Sequence, residues 1–541
     1  MRGVRAACPA CAAPVSFKIS SSLVAVCEHC HSVVARGDRN LEDLGKVAAI
    51  VETDSPLHLG LKGKYGGKSF ELVGRAQFQH GAGGTWDEWY AAFSNGKWGW
   101  LAEAQGRFYL TFERKPSEES RLPDLEELEA GKRFEFAGLG EFTVGEVGEA
   151  RTLAAAGEIP FRFEPNVSHR FADLYGSDGQ FSTFDYSEAE PLAYLGQVVS
   201  LNDLGISERV VAPDRELREV SSLKVSCPQC GGPLTLHAPD ETLRVCCPNC
   251  AALLDVDKGN LQYLKTLDFG KLNPLIPIGA TGTLFGVSYT LIGLLRRSVT
   301  EEGQDYFWSE YLLYNSRAGF RWLIHNDGHW SFAEPVSPGE VAVGHNIATY
   351  QDREFKIFQR GIAEVRYVLG ECYWKVEIGE EATTSDFIAP PEMLSIEYTV
   401  PRTLKADQTP GDVTSQADRT AGEVNMSLAT YVPRETVEDA FGVPDLPTSW
   451  KIAPNQPFPV DRRIYPLWGV FAVVLAVMDV VFSAGLVKGG VDQFFFFASL
   501  AMLSAIPGGS LIYRLFFERS RWADSPYNPY FVGGDDDDDD E

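Results

Sequence analysis

The stretch CPACAAPVSFKISSSLVAVCEHC, Cys8–Cys30, sets one CxxC pair on either side of a short β-forming segment, and CPQCGGPLTLHAPDETLRVCCPNC, Cys227–Cys250, does the same again. No other feature restricts the fold as strongly. Two CxxC knuckles joined by a hairpin bring four thiolates to the corners of a tetrahedron, the arrangement of a structural zinc ribbon. The expected ligands are Cys8, Cys11, Cys27 and Cys30 in the first copy, and Cys227, Cys230, Cys247 and Cys250 in the second. Two structural zinc ions are the expected cofactors, and four thiolates leave no open position for chemistry at the metal. Setting LRVCC on LVAVC puts Cys247 over Cys27 and Cys246 over Val26, so Cys246 and Cys372 are spare. His29 and His31 flank Cys30, but the second copy has Asn249 and Ala251 there, so they read as surface residues. MRGVRAACPAC carries no apolar stretch ahead of the first cage. The expectation is therefore a reducing compartment, where thiolates bind metal and do not pair as disulfides.

The repeat runs beyond the cysteines. GLKGKYGGKSFELVG (60–74) falls without a gap on GATGTLFGVSYTLIG (279–293), and Gly60/Gly279, Gly63/Gly282, Gly67/Gly286 and Gly74/Gly293 coincide. WDEWYAAF (86–93) then matches WSEYLLYN (308–315), and GWLAEAQGRFYL matches RWLIHNDGHWSF. GEARTLAAAGE against AEVRYVLGE closes the unit, read as Glu149 over Glu364 and Arg151 over Arg366. Glycine-punctuated, alternating text of this kind predicts short strands with tight turns. The fold class expected is mainly β: a zinc ribbon plus a small β-barrel-like or bent-sheet domain, in two copies, followed by an α-helical transmembrane hairpin. The divisions expected are ribbon 1 at 1–45, β-domain 1 at 46–205, ribbon 2 at 206–265, β-domain 2 at 266–430, a linker at 431–463, the hairpin at 464–517 and a disordered acidic tail at 518–541.

The glycine-spaced strand pair, the strand Trp86-Asp87-Glu88-Trp89 or Trp308-Ser309-Glu310-Tyr311, and the following hairpin with Trp100-Leu101 or Trp322-Leu323 resemble a bacterial domain of unknown function numbered 4178. The resemblance covers most of 55–185 and 275–400. A zinc ribbon ahead of the domain is a common companion in that family. The resemblance implies no established activity; it implies membership of bacterial membrane-associated modules, and hence partners.

On a strand, Trp86, Glu88 and Tyr90 share a face, as do Trp308, Glu310 and Leu312. A glutamate between aromatic rings can have a raised pKa and act as acid or base. The plainer reading pairs Glu88 and Glu310 with Arg151 and Arg366. No nucleophile–base pair recurs beside either glutamate, so the chain is not expected to be an enzyme. Trp86, Glu88, Trp308 and Glu310 are instead the expected contacts for protein partners. His325 and His329 flank Asp327-Gly328, which is hairpin-turn text, and read as turn decoration.

Two apolar runs follow a Pro-, Thr- and Asp-rich stretch, Pro401 to about Asp461, read as a tether with the helical phrase PRETVEDAF inside it. PLWGVFAVVLAVMDVVFSAGL (466–486) and VDQFFFFASLAMLSAIPGGSLIYRLFF (491–517) are each long enough to cross a bilayer, and VKGG between them permits only a hairpin. Arg462 and Arg463 precede the first, and Arg514, Arg519 and Arg521 cluster at the far end of the second. The positive-inside rule then places both ends, and the main body, in the cytoplasm at the plasma (inner) membrane. Asp479 inside the first span is expected to face a helix or water, with Ser483 or Ser504 as hydrogen-bonding neighbours. The net charge is -27; the terminal DDDDDDE accounts for seven negatives and leaves -20, which opposes phosphate backbones and argues against nucleic acid. The function expected is a membrane-anchored scaffold or adaptor with protein partners, self-association included. The alternatives are an enzyme using Glu88 or Glu310, or an accessory subunit of a transport complex with Asp479 at its centre.

Overall fold

The computed structural model describes residues 4–17, 22–36, 41–46, 50, 55–81, 84–104, 106–114, 122–136, 140–161, 163–187, 190–206, 223–238, 241–257, 260–267, 272–301, 303–399, 422–483, 493–523 and 525. The tail 526–541, the link VKGG and residues 400–421 lie outside these. In the first unit the alternating text forms β1 (Lys68–His80), β2 (Thr85–Phe93), β3 (Trp98–Ala104), β4 (Arg107–Arg114), β5 (Gly140–Ile159), β6 (Ser168–Gly176), β7 (Gln180–Asp185) and β8 (Leu192–Val199). They pair antiparallel in the order β1-β2-β3-β4-β8-β7-β6-β5 and return to β1, closing a barrel.

The second unit repeats the ring with β9 (Val287–Glu301), β10 (Gln304–Asn315), β11 (Gly319–Asn326), β12 (His329–Val336), β13 (Arg353–Cys372), β14 (Glu381–Ala389), β15 (Glu392–Thr399) and β16 (Gly422–Val432). Its order is β9-β10-β11-β12-β16-β15-β14-β13 and back to β9. Closure leaves no edge strand in either ring, and eight strands enclose an interior just wide enough for side chains or one small ligand. The two barrels touch through a short antiparallel pairing of β5 with β16, Glu146 opposite Glu423.

Two of the repeated glycines are required by the crossing of the longest strands. Gly74 on β1 lies opposite Gly157 on β5, and Gly293 on β9 opposite Gly370 on β13. A Cβ on Gly74 would sit 1.8 Å from the Glu158 carbonyl oxygen, and one on Gly293 2.2 Å from that of Glu371. This register also corrects the end of the sequence repeat. Gly157-Glu158 corresponds to Gly370-Glu371, so Arg151 corresponds to Glu364 and not to Arg366; both strands carry the same irregularity, at Leu153 and at Arg366.

Each ribbon is stitched to its own barrel at that crossing. The ribbon strand Val24–Val26 pairs with the end of β5, and Arg244–Cys246 pairs with the end of β13. Glu371, 1% exposed, ties the second ribbon down by accepting from the His237 N–H (2.7 Å), the Ala238 N–H (3.0 Å) and the Thr242 hydroxyl (2.7 Å).

Much of the stretch expected as a tether is packed against the barrel. β16 is its last strand, because Val424 and Met426 alternate with polar neighbours and bury themselves against β15. The helix α1 (Arg434–Phe441) then inserts Val437 and Phe441, with Leu446, into the core beside Leu284 and Tyr289. Asn455 reaches back to Ser331 and the Ala429 carbonyl. Two apolar helices follow, α2 (Ile464–Ser483) and α3 (Gln493–Arg521), each long and apolar enough to cross a membrane, with mean hydropathy 2.1 and 1.5 over the apolar windows. They lie together: Tyr465 and Ser510 hydroxyls are 3.0 Å apart. Ser504, an expected partner of Asp479, instead accepts the Trp468 indole N–H at 3.1 Å.

Candidate functional site

Strand alternation puts Trp86, Glu88 and Tyr90 on one face of β2, and the ring contacts identify that face as the inner wall. Trp98 on β3 reaches Tyr194 on β8 across the interior (6.4 Å between ring centroids), and Trp86 reaches Phe171 on β6 (6.0 Å). The opposite face, with Trp89, Ala91 and Phe93, points outward and is covered by Leu57, Leu61, Leu204 and Ile206. In the second barrel Trp308 and Glu310 occupy the same inner positions, since Glu88 lies opposite Ala76 and Glu310 opposite Leu295. The four residues expected to contact proteins are thus turned into the barrels.

The expected arginine partners are also corrected. Glu88 accepts from its own neighbour, the Trp86 indole (3.1 Å), and Glu310 from the Trp308 indole (2.7 Å). Glu310 further meets Arg297, whose guanidinium lies 3.3 Å from it and 2.8 Å from Glu397. Arg151 lies on the exterior against Gln79, and Arg366 against Ser298 and Glu364. Sequence reasoning missed two further inner-wall acids that recur. Asp173 and Asp386 are equivalent by register, each accepting from a hydroxyl on the next strand: Thr183 at 2.7 Å and Ser395 at 2.6 Å. Asp185 and Glu397 are equivalent as well, opposite Phe171 and Thr384. The signal lay in ADLYG against SDFIA, where only the aspartate survives.

Burial dominates the electrostatics of these walls. It pushes Glu88 up to about 7, with repulsion from Asp185 adding to it and the indole hydrogen bond opposing. It pushes Asp173 up to about 7, helped by Glu146, and Asp386 up to about 6, where the Ser395 bond opposes and Glu397 assists. Glu310 is raised by burial against the pull of Arg297.

The two interiors are filled differently. In the first barrel Phe78 stacks on Trp86 (5.4 Å), Phe171 meets His80 (6.0 Å) and Tyr109 packs on Phe181 (4.4 Å). By register the second barrel has Arg297 for Phe78, Thr384 for Phe171 and Ser331 for Tyr109. Three rings are exchanged for non-aromatic side chains, and a cavity of about 1690 Å³ opens, walled by Trp308, Glu310, Trp322, Arg297, Asp386 and Glu397 among others. His325 and His329 stand at its border on the hairpin turn expected for them. Asp327 and Gly328 both have positive φ, and His329 bonds the Lys451 carbonyl (2.8 Å) and the Tyr431 hydroxyl (3.1 Å).

The cysteine groups assemble as expected. In each, the four sulfurs lie within 4.8 Å of one another, so each group could hold a metal ion. The Cys8–Cys30 and Cys11–Cys27 sulfurs are 3.7 Å apart, and those of Cys227–Cys250 and Cys230–Cys247 are 3.8 and 3.9 Å apart. A tetrahedron with metal–sulfur bonds of about 2.3 Å has edges of about 3.8 Å, so the spacing fits. None of the ten cysteines is in a disulfide, and Cys246 and Cys372 are buried spares outside both groups.

The sequence profile described as "Domain of unknown function (DUF4178)" matches residues 58–201 and 277–434, one barrel each and together more than half of the chain. The chain belongs to the DUF4178 family. Each DUF4178 match begins after a ribbon, and the second runs through β16 to the first residue of α1. No curated protein and no solved structure matches the chain.

Proposed function

We propose that this DUF4178 protein is a membrane-anchored binding protein whose second barrel takes a small molecule, while the first barrel and the zinc-holding ribbons serve as its frame. The observation that carries this reading is the cavity of about 1690 Å³ that opens in the second barrel and extends past its rim, including the positions where the first barrel is packed with rings. Small-molecule sites are concave, mostly apolar and furnished with a few placed polar groups, which describes this interior. An adaptor role is retained in a narrower form: protein partners, or a second copy, would meet the outer walls and sense what the chamber holds.

On this reading the body lies on the cytoplasmic side. Arg462 and Arg463 flank α2, and Arg514 and Arg519 lie toward the end of α3. Four-thiolate zinc sites belong to a reducing compartment, which supports the same side. Catalysis at Glu310 is served less well, because its carboxylate is engaged by Arg297 and the Trp308 indole. The test is mass spectrometry of small molecules co-purifying with the full chain in detergent. Ser427 is on the chamber wall; wild type should retain a compound that Ser427→Trp, which projects an indole into the space, retains less well. Equal retention by both, or none by wild type, would defeat the proposal.

A further inference from the structure

We infer that the occupant of the second barrel is an organic ammonium compound; this rests on the chamber reading above. Charge is the first argument. The chamber and its rim together carry eleven carboxylates against six lysine and arginine side chains. Those cations are largely engaged already. Arg244 is held by Asp255 (3.0 Å) and Glu377 (3.8 Å), Lys451 by Asp327 (3.3 Å), and Arg521 by backbone carbonyls. On the barrel wall itself Arg297 faces Glu310, Glu397 and Asp386, so one positive charge meets three carboxyl groups. Bringing a cation in relieves this imbalance, and bringing an anion in worsens it.

The walls supply the second argument. Trp308, Trp322, Trp374, Tyr373 and Phe320 line the same space, with Phe320 stacked on Tyr373 (4.3 Å) and Trp322 edge-on to Trp374 (5.8 Å). Aromatic faces attract ammonium groups, most strongly when water is excluded.

The test uses three probes of one length on the full chain in detergent, followed by calorimetry: 6-aminohexan-1-ol, hexan-1-ol and hexanoate. The amino alcohol should bind at least tenfold more tightly than either other probe. Glu397→Gln should weaken the amino alcohol about tenfold more than it weakens hexan-1-ol. Equal binding of all three, or preference for hexanoate, would overturn the ammonium assignment and leave the chamber reading standing. Binding of none would overturn both.

Discussion

At the residue scale the inner-wall acids make the sharpest prediction. Folded Glu88 keeps its proton up to about 7, whereas an unfolded glutamate releases it near 4.3. Between these values the folded state binds more protons than the unfolded one, so stability is greatest below about 4 and falls as pH rises through about 7. Asp173 adds to the same slope. Glu88→Gln should flatten part of this fall and, at pH 8, stabilise the first barrel on the order of 2 kcal/mol. Thermal unfolding of both proteins from pH 5 to 8 checks it, and parallel curves would contradict the assignment. Glu88 and Glu310 were legible in the sequence because each sits between aromatic residues in a gapless repeat. Asp173 and Asp386 were not, because the offset between copies changes from 219 at Gly74/Gly293 to 213 at Gly157/Gly370, and a single aspartate among changed neighbours cannot announce a register. Which face of the strand is inside could not be read either, since both faces of β2 carry aromatic rings and only ring closure decides between them.

At the element scale the ribbons and barrels behave as joined pieces. Both ribbons were legible from cysteine spacing alone, as were the strands of the glycine-marked hairpins. Their attachment was not, because it depends on a buried carboxylate, Glu371, that reads as an ordinary strand-end glutamate. Glu371→Ala would leave two backbone N–H groups and the Thr242 hydroxyl without their acceptor, costing about 3 kcal/mol or more. The cost should fall on the second ribbon. With the zinc-loaded full chain, metal release to a chromogenic chelator should become biphasic, one ion leaving several-fold faster than in wild type. Loss of both ions at one unchanged rate would mean that Glu371 does not hold the ribbon in place.

At the scale of the whole molecule the apolar helical hairpin and the chamber meet. α3 does not end in free chain. Arg521, 2% exposed, donates to the carbonyls of Ala453, Pro454 and Gln456, while Trp522 packs on Phe358 and Ile388 with Met393 alongside. Ser525 then bonds the Phe358 carbonyl at 2.6 Å. Arg521, Phe358 and Met393 all line the chamber. Arg521, counted from the sequence among the charges flanking the second span, is thus a structural plug, and positive-inside arguments rest on Arg514 and Arg519 instead. A helix end clamped to the chamber wall transmits strain in both directions, because a packed interior shifts as a unit and does not yield continuously. Trp522→Ala should remove roughly 3 kcal/mol or more of packing at this junction. In proteoliposomes, amide hydrogen exchange should then rise together in 517–523 and 353–358, and the first barrel should exchange as before. Exchange confined to the helix end would show that the anchor and the chamber move independently.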